Sequence, residues 1–213
     1  MREYLEHNRR TYDALAEEYK HNLETYAVAD QKILFPFIGC LKARFSNPRV
    51  LELGPGSGLA LQYFAREGFN TTAIDISSEI IKVAEQASPS THYLLGDFLG
   101  FDFGGLIFDG IFAKAFIHLF PKDDAMLVFR KIFGLLSRGG VAYLATTRHE
   151  VSEEGFFEKS DYQRKEKRFR RRWAEGDLLE AIINTGFDIY NRWYDDEPDK
   201  GKKWINILAV KPF

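Results

Sequence analysis

Cysteine is almost absent. Cys40 stands alone in 213 residues, so no disulfide can close within the chain and no multi-cysteine zinc or iron–sulfur site can be built. That usage fits a reducing, cytoplasmic compartment. Long apolar runs are missing as well: the longest stretch without a charge covers 53–65, thirteen residues that include three glycines and a proline. A membrane-spanning helix needs about 20 apolar residues, so no membrane association is expected. The first thirty residues carry no apolar stretch of signal-peptide type. Excess charge of one sign is also lacking, since 29 Lys and Arg stand against 31 Asp and Glu for a net −2. No global field gathers a polyanion, which disfavours nucleic acid as the partner. The five histidines, at 7, 21, 92, 118 and 149, form no His-x-x-x-His pair, and no metal site is expected. What remains is a chain with 45% hydrophobic and 28% charged residues, the composition and length of one globular domain.

The order of patterns points to an α/β fold. Tyr12, Leu15, Tyr19 and Tyr26 recur at helical spacing near the start, which predicts an N-terminal amphipathic helix. At 49–53 a short apolar segment runs into Gly54, Pro55, Gly56, Ser57 and Gly58, and then into a helical pattern that stops at Gly68. Strand-like segments follow at 71–76, 91–95, 106–113 and 141–147, separated by helical patterns. Ser77 is a plausible cap for one such helix, and Asp123 and Asp124 sit in the first turn of another, where the helix dipole favours carboxylates. Alternation of this kind predicts a parallel sheet covered on both faces. Beyond Arg148 the rhythm breaks into an insertion holding the basic run 164–172. A helix from about 175 to 186 follows, and two closing antiparallel edge strands flank the turn-rich stretch 195–203.

A strand entering Gly-x-Gly-x-Gly and then a helix lets a ligand approach the backbone closely. The glycines fall at 54, 56 and 58 with Leu59 after them, which departs from the G-x-G-x-x-G dinucleotide fingerprint and disfavours a nicotinamide-dependent oxidoreductase. Glu52, Asp75 and Asp97 lie on or just after strand carboxyl ends, the edge where open α/β sheets bind ligands.

Five segments, VLELGPGSGLA at 50–60, TAIDIS at 72–77, LLGDF at 94–98, FDGIFAKAFIHLF at 108–120 and LLSRGGVAYLAT at 135–146, resemble the ordered motifs of class I S-adenosylmethionine-dependent methyltransferases. The resemblance implies a Rossmann-like, mostly parallel seven-stranded sheet with helices on both faces and an antiparallel last strand. It treats 1–213 as a single domain with lid helices at 1–45 and an acceptor-side insertion at 148–174. It implies S-adenosyl-L-methionine as cofactor and S-adenosyl-L-homocysteine as product. By the same resemblance Gly54, Gly56 and Gly58 lie under the methionine and ribose, Glu52 supports the amino group, and Asp75 accepts from both ribose hydroxyls. Asp97 receives the adenine amino group between Ile76 and Phe98, Ala113 and Lys114 close the site with backbone groups, and Tyr12 and Tyr19 reach the methionine carboxylate. As a plain reading of residues, the tyrosine face equally well docks a helix on the core.

Methyl transfer asks mainly for alignment, so the lack of an obvious triad is no objection. For a hydroxyl acceptor His118 and His149 are the candidate bases, each of which could instead be tied to backbone. The run 164–172 has seven basic residues in nine. As a strand it would send Arg164, Arg168, Arg170 and Arg172 to one side, and Arg170 and Arg172 are taken as candidates to hold a carboxylate or phosphate on the acceptor. The expected activity is methyl transfer to O or N of a small molecule, by a monomer or homodimer. A non-catalytic partner-binding module and an RNA methyltransferase using 164–172 are the alternatives.

Overall fold

Side chains along the strands alternate between two hydrophobic clusters, and this alternation gives the sheet a core on each face. The computed structural model describes residues 2–21, 23–159, 166–197 and 201–213, with backbone alone for 21, 23–31 and 159. The parallel strands are β1 (Arg49–Leu53), β2 (Asn70–Asp75), β3 (His92–Leu95), β4 (Phe108–Lys114) and β5 (Leu136–His149), in the order β3-β2-β1-β4-β5. Leu51, Leu53, Ile111, Ala142 and Leu144 face one cluster; Val50, Phe112, Val141, Tyr143 and Ala145 face the other. The first cluster is completed by α5 (Lys122–Leu135) and α6 (Glu175–Ile183), through Val128, Phe129, Ile132, Leu178 and Ile182. The second is completed by α2 (Leu23–Lys42) and α3 (Leu59–Arg66), through Leu34, Phe37, Leu41, Leu61 and Phe64.

An inserted hairpin extends the expected seven strands to nine. β6 (Glu153–Lys159) and β7 (Glu166–Ala174) pair as an antiparallel hairpin, and β7 runs parallel to the far end of β5 at Arg148↔Trp173 and His149↔Ala174. β8 (Asp188–Glu197) and β9 (Lys202–Val210) are antiparallel, as expected, but β9 is not an edge strand. It lies between β5 and β8, antiparallel to both, from Val141↔Val210 to Thr147↔Trp204 on the β5 side. The acidic run 195–197 is not part of a turn: it continues β8, with Asp195, Asp196 and Glu197 opposite Trp204, Lys203 and Lys202. Opposite charges across the pair favour that extension. Asp199 falls outside the described residues.

At the centre, Phe112 and Tyr143 stack with ring centroids 4.4 Å apart, and the Tyr143 hydroxyl donates to the Asn206 side-chain oxygen at 2.6 Å. Both residues are buried. Tyr143→Phe removes a donor from an enclosed carbonyl, so we expect a loss of about 1–3 kcal/mol in urea unfolding. An unchanged midpoint would show that the bond contributes nothing net.

The N-terminal helix α1 (Glu3–His21) ends before Tyr26, which falls on α2 with its side chain outside the described ones. α1 is tied to three elements. Tyr4 donates to Asp124 on α5 (2.6 Å). Asn8 accepts from the Phe169 amide (2.7 Å) and Thr11 donates to the Lys167 carbonyl (2.6 Å), both on β7. Asp13 accepts from Ser77 (2.6 Å), the residue that caps α4 (Ser78–Ala87) by accepting from the Ile80 amide. No described helix is long and apolar enough to cross a membrane.

Candidate functional site

The strand order reverses between β1 and β4, and a cavity of about 250 Å³ opens at the carboxyl ends of the strands there, roofed by α1. Its floor is the turn after β1. Gly54 and Gly56 have φ of +71° and +54°, conformations that disfavour a side chain, and a Cβ on Gly56 would sit 3.3 Å from the ring of Tyr19. Tyr19 on α1 therefore closes directly over bare backbone. Gly58 does not line the cavity. Its φ is +78° and an added Cβ would come within 2.9 Å of the Ala84 backbone, so this glycine exists to let α3 and α4 approach.

Three carboxylates gather at one end of the cavity: Glu52, 5% exposed, with Asp75 and Asp97. Asp75 ends β2 and accepts from the Ser77 amide at 2.8 Å. Burial pushes its carboxyl up to about 7; the Ser77 and Ile76 amides oppose the shift, and Asp13 adds to it. An acid whose pKa rises on folding stabilises the fold while protonated. Its contribution is therefore complete below the ordinary 3.8 and is lost as pH rises through about 7. Urea midpoints of the ligand-free protein, taken relative to Asp75→Asn, are expected to fall across that window and level off above it. A flat difference would contradict the burial of the charge.

Asp97 accepts from the Leu99 amide at 3.0 Å. The loop after it is fastened by Lys131, which donates to the carbonyls of Leu99 (3.0 Å) and Phe101 (2.6 Å) with its ammonium over the Phe98 ring. Ile76 and Phe98 both line the cavity. At the end of β4 the lining residues are Lys114, Ala115 and Phe116, whereas Ala113 is fully buried one position inside the strand. Ala115 is the one described non-glycine residue with positive φ, +56°, held by its amide to the Ala145 carbonyl at 2.9 Å. Backbone strain of this kind clusters at functional sites.

The opposite end is built from β5, β7 and β9. His118, 2% exposed on a short turn of 3-10 helix, has Nδ1 3.3 Å from the hydroxyl of buried Thr146 and lines the cavity. His149 does not line it. Its imidazole lies 3.0 Å from Thr147, and its pKa is lowered by burial and by Arg170 and Arg172. On β7, Arg168 and Arg170 reach the cavity; Arg168 donates to the Tyr12 hydroxyl and Arg170 to Thr147. Arg172 points elsewhere and pairs with Glu153 on β6, while Arg171 pairs with Glu154. Of these four arginines, Arg168 and Arg170 line the cavity, and Arg171 and Arg172 pair with the residues opposite them on β6. Arg164 and Lys165 lie outside the described residues.

Sequence reading missed Arg168 as a site residue, although strand alternation with Arg170 carried the signal. Ala115, Phe116, Lys202 and Trp204 also line the cavity without any local signal. Among the described residues, no three His, Cys, Asp or Glu side chains gather as a metal site.

A family profile described as a methyltransferase domain matches residues 50–140. The putative methyltransferase YqeM of Bacillus subtilis is 27% identical over 154 residues, covering 67% of this chain and 61% of that protein. The chain thus spans about three fifths of that relative's length. Two solved structures superpose well. An S-adenosylmethionine-dependent methyltransferase from Clostridium acetobutylicum gives a TM-score of 0.72 at 16% identity, covering 92% of this chain and 99% of that one. The 1,6-didemethyltoxoflavin-N1-methyltransferase of Burkholderia thailandensis, bound to 1,6-didemethyltoxoflavin and S-adenosylhomocysteine, gives 0.66 at 19% identity over 96% and 91%. At such identities the likeness is one of fold.

Proposed function

We propose that this chain is a class I S-adenosylmethionine-dependent methyltransferase that transfers a methyl group from S-adenosyl-L-methionine to an oxygen or nitrogen of a small molecule, a reading supported by the methyltransferase-domain match over residues 50–140. The observation that carries the reading is the convergence of Glu52, Asp75 and Asp97 with the bare turn at Gly54 and Gly56 on one cavity. Three carboxylates suit a ligand rich in hydroxyls and amines, and absent side chains leave it room against the backbone. Asp75 would accept from the ribose hydroxyls, Asp97 from the adenine amino group, and Glu52 from the methionine amine. Ile76 and Phe98 offer apolar surface for the base, and Tyr12 and Tyr19 on α1 offer hydroxyls over the turn. The 1,6-didemethyltoxoflavin-bound relative supports a small acceptor.

When bound, S-adenosyl-L-methionine supplies a methyl group already activated on a sulfonium, so the protein's share is to align and to exclude water. α1 performs the second task as a roof fixed at Asp124, Ser77 and β7. His118 faces the cavity and is the candidate to take a proton from a hydroxyl acceptor. His149 and Arg172 do not line the cavity.

The test is acceptor-dependent release of S-adenosyl-L-homocysteine. Purified protein with S-adenosyl-L-methionine is offered amines, phenols and carboxylic acids, and products are read by mass spectrometry. Turnover on at least one class, lowered by about 10²-fold or more in His118→Ala when the acceptor is a hydroxyl, is the expected result. A protein that binds the cofactor and turns over no acceptor would instead be a non-catalytic module.

A further inference from the structure

The cavity is electrically divided. Its end at β1, β2 and the loop after β3 presents Glu52, Asp75 and Asp97. Its end at β4, β7 and β9 presents, among the described residues, Lys114, Arg168, Arg170 and Lys202 with the carboxylate of Glu197. The chain as a whole is near neutral at −2, so this separation is local and does not follow from a generally basic surface. Arg168 and Arg170 lie two apart on one face of β7, which sets their backbones about 6–7 Å apart. Arg168 reaches the Tyr12 hydroxyl on the roof helix. Arg170 reaches Thr147, whose β9 partner is Trp204. The Trp204 indole is held by donation to Glu197 at 2.8 Å and lies 5.9 Å from the Lys114 ammonium.

Farther along the same strand, Arg171 pairs with Glu154 and Arg172 with Glu153 across the hairpin. A guanidinium fork matches the paired oxygens of a carboxylate or phosphate, and such charge-assisted bonds are the strong ones.

The geometry points to an acceptor that carries an anionic oxyacid group, a carboxylate or a phosphate, held by Arg170 at the β7–β9 end with a flat apolar body against Trp204. This rests on the methyltransferase reading of the same cavity and adds the charge class of its second ligand. Arg170 is the anchor. Arg168, turned toward Tyr12 and hence toward Tyr19 over the glycine turn, stands between the two ligands.

The experiment uses the full chain saturated with S-adenosyl-L-homocysteine and three probes of one shape: benzoate, phenyl phosphate and neutral benzamide. Calorimetry or ligand-detected NMR gives each affinity, and the first two probes separate carboxylate from phosphate. At least one anion is expected to bind about tenfold or more tightly than benzamide. Arg170→Gln is expected to erase that preference while leaving the affinity for S-adenosyl-L-homocysteine within about twofold, and Arg170→Lys is expected to keep part of it. Melting temperatures establish that both variants are folded, and should Gln fail to fold, the Lys variant carries the test. Benzamide binding as tightly as the anions, no saturable binding of either anion, or a folded Arg170→Gln protein with undiminished preference each overturns the proposal. Failure of S-adenosyl-L-homocysteine to bind strikes the methyltransferase reading separately, since the anion preference is then measured on the ligand-free protein.

Discussion

Asp75→Ala is expected to weaken S-adenosyl-L-methionine binding by about 10²–10⁴-fold, because two hydrogen bonds to a charged acceptor contribute about 1.5–3 kcal/mol each. The same substitution should not unfold the protein. The Asp75 carboxyl is pushed up to about 7 by burial, which means that its ionised form is held at a cost in the ligand-free fold. Removing it relieves that cost, so the melting temperature above neutral pH is expected to hold or rise while affinity collapses. Opposite signs on the two measurements separate a ligand-binding carboxylate from a structural one. Retained affinity would remove Asp75 from the site, and a fall in both would make it structural.

Gly58→Val should act in the other direction, on the fold first. A β-branched residue at φ +78° is a backbone outlier costing about 1–2 kcal/mol. Its Cβ would also lie 2.9 Å from the Ala84 Cα and carbonyl oxygen, which are backbone atoms of α4 and cannot turn aside. Displacing that helix costs a further 1–3 kcal/mol or so. At roughly 2–4 °C per kcal/mol for a chain of this size, the melting temperature is expected to drop by about 5–15 °C. Binding should weaken too, since Ser77 at the head of α4 supports both Asp75 and Asp13. A variant melting like the parent would show that α3 and α4 are not pressed together at this point.

Much of the sheet and of the acidic end is legible in the chain because each signal there is local. Asp75 and Asp97 sit where an apolar run stops, and Gly54 and Gly56 sit where a strand turns at the floor of the cavity. A strand end and a glycine turn are decided by neighbours in sequence. Gly58 shows the limit: its spacing is that of the other two glycines, yet its cause is Ala84 on the following helix, a contact no spacing reveals. The basic end is legible only to the level of a face. Period-two alternation selects Arg168, Arg170 and Arg172 together, and only the pairing of β7 with β6 and β5 turns Arg172 toward Glu153. His149 follows a strand end as the acids do, but β5 continues into its pairing with β7 there, which carries the imidazole past the cavity. The extension of β8 through Asp195, Asp196 and Glu197 is unreadable for a related reason. Acidic residues favour turns until lysines on a partner strand, Lys202 and Lys203, lie opposite. Ala115 carries no signal at all: its positive φ occurs where its amide donates to the Ala145 carbonyl on neighbouring β5.

The divided cavity is expected to take an adenosyl cofactor by its acidic end. Parallel calorimetric titrations of the protein with S-adenosyl-L-methionine, S-adenosyl-L-homocysteine and NADH test it most directly, because none needs an acceptor. Saturable binding of both adenosyl ligands, lost in Asp75→Ala and absent for NADH, is the expected result. Binding of NADH in their place, or no binding of either adenosyl ligand to the folded protein, would contradict it.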